Sequence, residues 1–293
     1  MNKKPRVITK QNFYKDLFKN ICKKKAFIIP LIILSILYII GLCVALFVDK
    51  ESYMKINFDL GLLPPSSKYP FGTNDYGQNQ FYQILAGCYN TLNLSIIATL
   101  ANLLLGIIIG IAWGNNPKSD YLMIFIKSVF DNIPILFFYI IIINALGNNS
   151  ISLLIVIGLF GWVSIACLIR NNLLLIRNKD YNIVSKIYKT PFKDKAINNY
   201  LPSLLPIIFN SFAISIPEII SFEITVAYFG FAIDENSISL GKLLYNSIST
   251  NSCFTNPYLF LIPLIFIIII NLCFYYIGKT ISDFSLKRGE NNA

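Results

Sequence analysis

The chain has 293 residues, 55% of them hydrophobic and only 14% charged, where a soluble domain would carry roughly 25% charged residues. Mean hydropathy is positive, the net charge is +10 and there is no histidine. This balance excludes an ordinary soluble domain, and the missing histidine removes the commonest general base and the commonest transition-metal ligand.

A helix needs about 20 apolar residues to cross a bilayer. Segments 26–48, 91–113, 121–146, 151–169, 204–229 and 257–277 meet that length. The predicted fold class is therefore an all-α polytopic membrane protein with six transmembrane helices. Residues 1–25 form a basic tail that ends on Lys23, Lys24 and Lys25. Segment 26–48 is too long for a signal-peptide core and no small-residue cleavage site follows Phe47, so it reads as an uncleaved first span.

Residues 49–90 are a polar loop containing Tyr69-Pro70-Phe71-Gly72-Thr73-Asn74-Asp75-Tyr76-Gly77. Glycine, asparagine and aspartate at these spacings predict tight turns, with Asp75 capping a helix that runs toward Gly87. In the third span Lys127 and Asp131 stand one turn apart and are expected to pair. Residues 170–200 carry Arg170, Arg177, Lys179, Lys186, Lys189, Lys193 and Lys195 against Asp180 and Asp194. Ile183, Val184, Ile187 and Phe192 fall there at helical spacing, predicting short helices over 180–188 and 191–200. Thr190 is the expected N-cap of the second and Pro191 its first residue. Such a cationic, amphipathic loop either docks a partner or lies on anionic headgroups.

The fifth span contains Pro217, Glu218 and Glu223, and Pro217 is expected to bend it. Ionisable residues in spans are functional candidates, so Asp131, Glu218 and Glu223 are the candidate translocation-path groups. Residues 278–293 form a second basic tail. Its Gly278-Lys279-Thr280 is no phosphate loop, because Cys273 occupies the position of the required upstream glycine. The lysines and arginines gather on one side of the six spans, which predicts both termini and the 170–200 loop in the cytoplasm. The net charge is then a topology signal and not a nucleic-acid footprint. Cys88 and Cys253 would share the outer side, where a disulfide is conceivable.

The order of several short motifs resembles the C-type permease subunit of ABC importers for dipeptides, oligopeptides and nickel. Tyr69 to Gly77 resembles that family's "hPlGTDdlGrD" segment; Asp131 and Pro134 match its third span, and Gly161-Trp162 its fourth. Lys179-Asp180-Tyr181 is similar to its "REY". Tyr200-Leu201-Pro202 with Leu205-Pro206 is similar to its "ILPN-hhP". The run from Glu223 to Phe231, including Gly230, and Ser239-Leu240-Gly241 resemble its "EASLSFLGLG" and "SWG". The resemblance covers the chain from about residue 26 to the last span. The chain departs from the family at its cytoplasmic Glu-Ala-Ala signature: Ile183-Val184-Ser185 stands there, and Lys189 replaces the family's glycine.

The resemblance implies a type I ABC importer permease architecture in the cell (inner) membrane. Residues 91–277 would be the five-helix permease core. Gly72, Thr73, Asp75, Gly77, Leu201, Pro202 and Gly230 would be structural motif positions. Ile183, Val184, Ile187, Lys189, Pro191, Phe192, Lys193 and Lys195 would couple the chain to an ATPase. The implied partners are a second homologous permease, two ATP-binding subunits, membrane lipid and an extracellular substrate-binding protein received over 49–90 and 231–256. The chain itself would hold no catalytic residue and no cofactor, ATP and Mg being bound by the partner subunits. Peptide is the expected substrate. Nickel uptake, a degenerate scaffold role and an ion-coupled carrier are the alternatives, although no internal repeat of the carrier kind is visible.

Overall fold

A computed structural model of the chain describes residues 23–231 and 237–290; the expectations for 1–22, 232–236 and 291–293 lie outside the described residues. Helices dominate and, among the described residues, no strand forms. The first span is α1 (Lys25–Phe47), followed by the short α2 (Lys50–Met54). Next comes α3 (Gln80–Asn115), whose 36 residues reach about 54 Å. A 3₁₀ turn leads to α4 (Asp120–Asn132), α5 (Ile135–Leu146) and α6 (Ser150–Arg177). Then follow α7 (Asp180–Ile187), α8 (Phe192–Lys195) and a π-helical turn (Ala196–Tyr200) that runs into α9 (Leu201–Tyr228). The chain ends with α10 (Leu240–Ser249), α11 (Ser252–Thr255) and α12 (Tyr258–Glu290).

Five stretches are long and apolar enough to cross a membrane: α1, α3, α6, Phe192–Tyr228 and the 258–283 part of α12. The expected third span, 121–146, is not one helix. It breaks into α4 and α5, bent by 79°. Ile133 takes the extended conformation imposed on a residue before proline, and Pro134 has no N–H to continue the helix. The pair still has to cross. Both α3 and α6 finish at the same end of the bundle, where Arg177 Nη1 donates to the Gly114 carbonyl at 3.3 Å. Only α4 and α5 can carry the chain from Asn115 back to the start of α6. That end, with Lys25 and Arg177, is here the basic end; the other, with Phe47 and Tyr258, is the distal end.

The second span begins earlier than its apolar run, at Gln80. Its cap is Asn79, whose Oδ1 accepts from the Phe81 N–H at 3.0 Å, and not Asp75. The last helix continues past Ile277, so the expected tail from 278 starts as helix. Cys88 and Cys253 are both unpaired thiols, so the conceivable disulfide is absent.

The core is built around α3. Gly106, Gly110 and Gly114 repeat every four residues on the face toward α6, the small-residue spacing that lets two membrane helices approach closely. A Cβ added at Gly110 would lie 2.7 Å from the Ala166 carbonyl oxygen, and one at Gly106 2.6 Å from Ile165. On another face α1 crosses α3 at Gly41, where an added Cβ would meet the Leu85 carbonyl at 2.6 Å. Leu92, Ile216, Ile220, Leu240 and Ile270 then join α3, α9, α10 and α12 in one buried cluster.

Candidate functional site

At the distal end the loop motif folds into a clamp. Gly72 and Gly77 hold φ of +74° and +68°, and a Cβ at Gly77 would sit 1.9 Å from the Asn57 carbonyl oxygen. Both positions therefore need glycine. Thr73 is fully buried; its Oγ1 accepts from the Leu63 N–H at 2.7 Å and donates to the Gly61 carbonyl at 2.8 Å. Asn74 Oδ1 accepts from the backbone of Tyr76 and Gln78. Asp75 reaches across to the α10–α11 junction, accepting from Thr250 Oγ1 at 2.8 Å and from Ser252 Oγ. Gln80 Nε2 donates to the Leu259 carbonyl at 3.0 Å, pinning the start of α3 to the start of α12. Gly230, at φ +83°, ends α9 in a Schellman turn: Phe231 N–H bonds to the Val226 carbonyl and Gly230 N–H to that of Ala227.

At the basic end, residues 180–200 form the projecting element. The helix α6 runs through Arg170 to Arg177, so the projection starts later than the basic run does. Arg170 is committed within the bundle: its guanidinium pairs bidentately with Asp120 and lies 5.5 Å from the centre of the Trp113 ring. Trp113 Nε1 also donates to Asp120 at 2.6 Å. Asn182, buried, donates from Nδ2 to the Ile176 carbonyl at 2.8 Å and so fastens α7 to the end of α6. Asn199 Nδ2 donates to Ser185 Oγ at 3.0 Å, tying the π turn back to α7.

The turn between the two halves keeps the geometry a glycine would give. Lys189 stands at φ +51° and the Thr190 N–H bonds to the Ser185 carbonyl at 3.0 Å, the six-to-one bond of a Schellman end. The lysine pays a strain cost of roughly 1–2 kcal/mol in this conformation. The second helix is shorter than expected and differently begun: extended Pro191 occupies the N-cap position ahead of Phe192, with no side-chain cap from Thr190. Ile187, 72% exposed, and Phe192, 46% exposed, stand with Ile183, Lys189 and Lys193 on the outside of this element, and Lys195 is half-buried. The side chain of Val184 lies outside the described ones. Tyr200 is buried at the base, where Leu201 and Pro202 open α9.

The three ionisable candidates in the spans do not converge. Asp131 pairs with Lys127 on exposed α4, as their spacing predicts. Glu223 is buried, 1% exposed, and belongs to a knot between helices. Thr91 Oγ1 donates to Glu223 Oε1 at 3.2 Å and accepts from the Leu240 N–H at 3.2 Å. Asn90 Nδ2 adds a bond to the Ile238 carbonyl at 2.7 Å. Glu223 also lines a cavity of about 420 Å³ shared with Asn90, Asn93 and Ser239. Glu218, five residues earlier, opens onto a different cavity, between α9 and α12. Sequence reasoning missed Thr91, Asp120, Asn182 and Asn199. Each is a short polar residue of ordinary type, identified only by a partner that the fold brings to it.

Comparison with known proteins adds the following. The family described as "binding-protein-dependent transport system inner membrane component" matches residues 102–283. The oligopeptide transport system permease protein AmiD of Streptococcus pneumoniae is 30% identical over 280 residues, covering 94% of this chain and 90% of that protein. The oligopeptide transport system permease protein OppC of Haemophilus influenzae is 24% identical over 276 residues, 93% of this chain and 88% of that one. The dipeptide transport system permease protein DppC of Bacillus subtilis is 24% identical over 240 residues, with 82% and 75% covered.

Proposed function

This chain belongs to the family of binding-protein-dependent transport system inner membrane components, and from that membership we propose that it is the permease subunit of an ATP-driven peptide importer. The observation that carries the reading is the 30% identity to an oligopeptide permease over 94% of the chain. The relatives named above are called oligopeptide or dipeptide permeases, which favours peptide over nickel.

In this reading the basic end faces the cytoplasm, as the distribution of lysine and arginine asks. The distal clamp, stiffened by Thr73 and Asp75, receives a substrate-binding protein. A second, related permease completes the path, and two ATP-binding subunits supply ATP, Mg and hydrolysis. The element 180–200 is the coupling part: Phe192, Ile183 and Ile187 present apolar surface, while Lys189, Lys193 and Lys195 meet an acidic rim. Rim charges set register and association rate, and the buried aromatic sets the residence time.

The test is a mild-detergent purification of the tagged chain from its native membrane, with mass spectrometry of what is retained. P-loop ATPases and a second permease are expected with the unmodified chain. Phe192→Asp should lower ATPase recovery about tenfold or more while the second permease stays. A chain recovered alone, or one whose partners ignore the substitution, overturns the coupling assignment.

A further inference from the structure

Among the described residues, Glu218 stands out as an ion whose position makes no sense against lipid. It lies on α9, ten residues before Tyr228, which puts it about 15 Å inside the end of the helix and within the hydrocarbon layer. Its side chain is exposed, in contrast to buried Glu223, and it takes part in neither of the two ion pairs formed among the described residues. A carboxylate open to acyl chains at that depth costs several kcal/mol, so such a residue faces a wet cavity or a partner.

The cavity it faces measures about 690 Å³ and runs between α9 and α12 toward the basic end. Asn210 and Asn271 line it in the membrane, and Lys279 and Asp283 line its basic mouth. Lys279 lies over the Tyr275 ring, 6.0 Å from its centre, and forms no ion pair with Glu218. Helix register brings a second acceptor close. Gly278 packs on Ala213, so seven residues back along antiparallel α12 Asn271 stands near Ile220, within a turn of Glu218. Asn271 Oδ1 is itself buried and has no hydrogen-bond partner among the described residues. A carboxylate and an orphaned amide oxygen in one membrane cavity are two acceptors waiting for a cationic donor.

We propose that this cavity is a stretch of the translocation path, and that Glu218 with Asn271 binds an ammonium group of the passing substrate. The assignment rests on the peptide-importer reading. An ammonium offers three donors on a compact charge, which suits two oxygen acceptors, and the depth places the site beyond the reach of lipid headgroups. A peptide can supply that ammonium from its N-terminus or from a lysine side chain.

The experiment uses the complex that purifies with the tagged chain, reconstituted into vesicles with its binding protein and ATP. Uptake of Ala-Ala-Ala and of Ala-Lys-Ala is measured for the unmodified chain, Glu218→Gln, Glu218→Asp and Asn271→Leu. Glu218→Gln is expected to lower uptake about tenfold, the loss of one charge-assisted hydrogen bond, and Asn271→Leu several-fold. Glu218→Asp, which keeps the charge, should recover most of it. Equal loss for both peptides identifies the N-terminal ammonium; loss confined to Ala-Lys-Ala identifies the side chain. Unchanged uptake in Glu218→Gln overturns the proposal. So does a Glu218→Gln chain that no longer purifies with its partners, since the acid would then be an assembly contact. Failure of Glu218→Asp to recover uptake also counts against substrate binding. If the unmodified complex moves neither peptide, the importer reading has failed before any variant is compared.

Discussion

Lys189 shows how a residue can be wrong for its backbone and still be kept in shape by its neighbours. The turn it occupies is left-handed, the six-to-one bond to Ser185 closes around it, and Asn199 holds Ser185 from the other side. Lys189→Gly should relieve about 1 kcal/mol of strain, net of the larger freedom of glycine in the open chain. Hydrogen exchange read by mass spectrometry is then expected to slow about fivefold for amides over 186–192. Exchange that is unchanged or faster would mean that the lysine is unstrained there. The two acids of α9 differ in how their neighbours hold them. Glu223 is locked by Thr91 beneath the segment that starts α10, whereas Glu218 has no hydrogen bond or ion pair to hold it among the described residues.

Between elements the decisive contact is the seam of α3 and α6. Gly110 has no room for a methyl group, since both the Ala166 carbonyl and Ile169 Cβ stand within 2.8 Å of the place it would take. Gly158, on α6, has nothing within 4 Å. Gly110→Ala should therefore cost about 1–3 kcal/mol by overpacking, while Gly158→Ala should gain up to about 1 kcal/mol from helix propensity. Thermal denaturation of the purified chain followed by circular dichroism measures both; similar shifts for the two variants would remove the seam from its central role. The break at Pro134 splits what composition alone presents as one apolar run, and α4 has no buried residue of its own.

Across the whole molecule, five spans and the bent α4–α5 pair put both described ends of the chain on one side, and the positive-inside rule leads us to propose that this side is the cytoplasm. A membrane-impermeant thiol reagent applied to intact cells should label Phe58→Cys above the parent background and leave Ile187→Cys at that background; both positions are 72% exposed, so exposure does not decide the outcome. The reverse pattern would invert the topology. The apolar runs and their order were legible in the sequence because burial in lipid demands them from each helix separately. The tight turns at Gly72 and Gly77 were legible because glycine and asparagine announce them locally. The start of α3 at Gln80 was not, since Gln80 and Gln83 are polar and are held in the helix by Leu259 and Tyr53 from elsewhere. Asp120 with Arg170 and Thr91 with Glu223 were invisible for the same reason: their partners lie 50 and 132 residues away.

The distribution of proline divides the molecule by stiffness. The long helices α3 and α6 contain none and are clasped along a glycine seam, whereas α1 carries Pro30, α9 Pro206 and Pro217, and α12 Pro263. Each proline deletes a backbone hydrogen bond and softens the rod at that point. One half of the bundle is thus a girder running from the clamp to the 180–200 projection, and the other half is sprung. A load applied at either end of α3 is therefore expected to pass along it to the other, with bending concentrated in α9 and α12, beside Glu218.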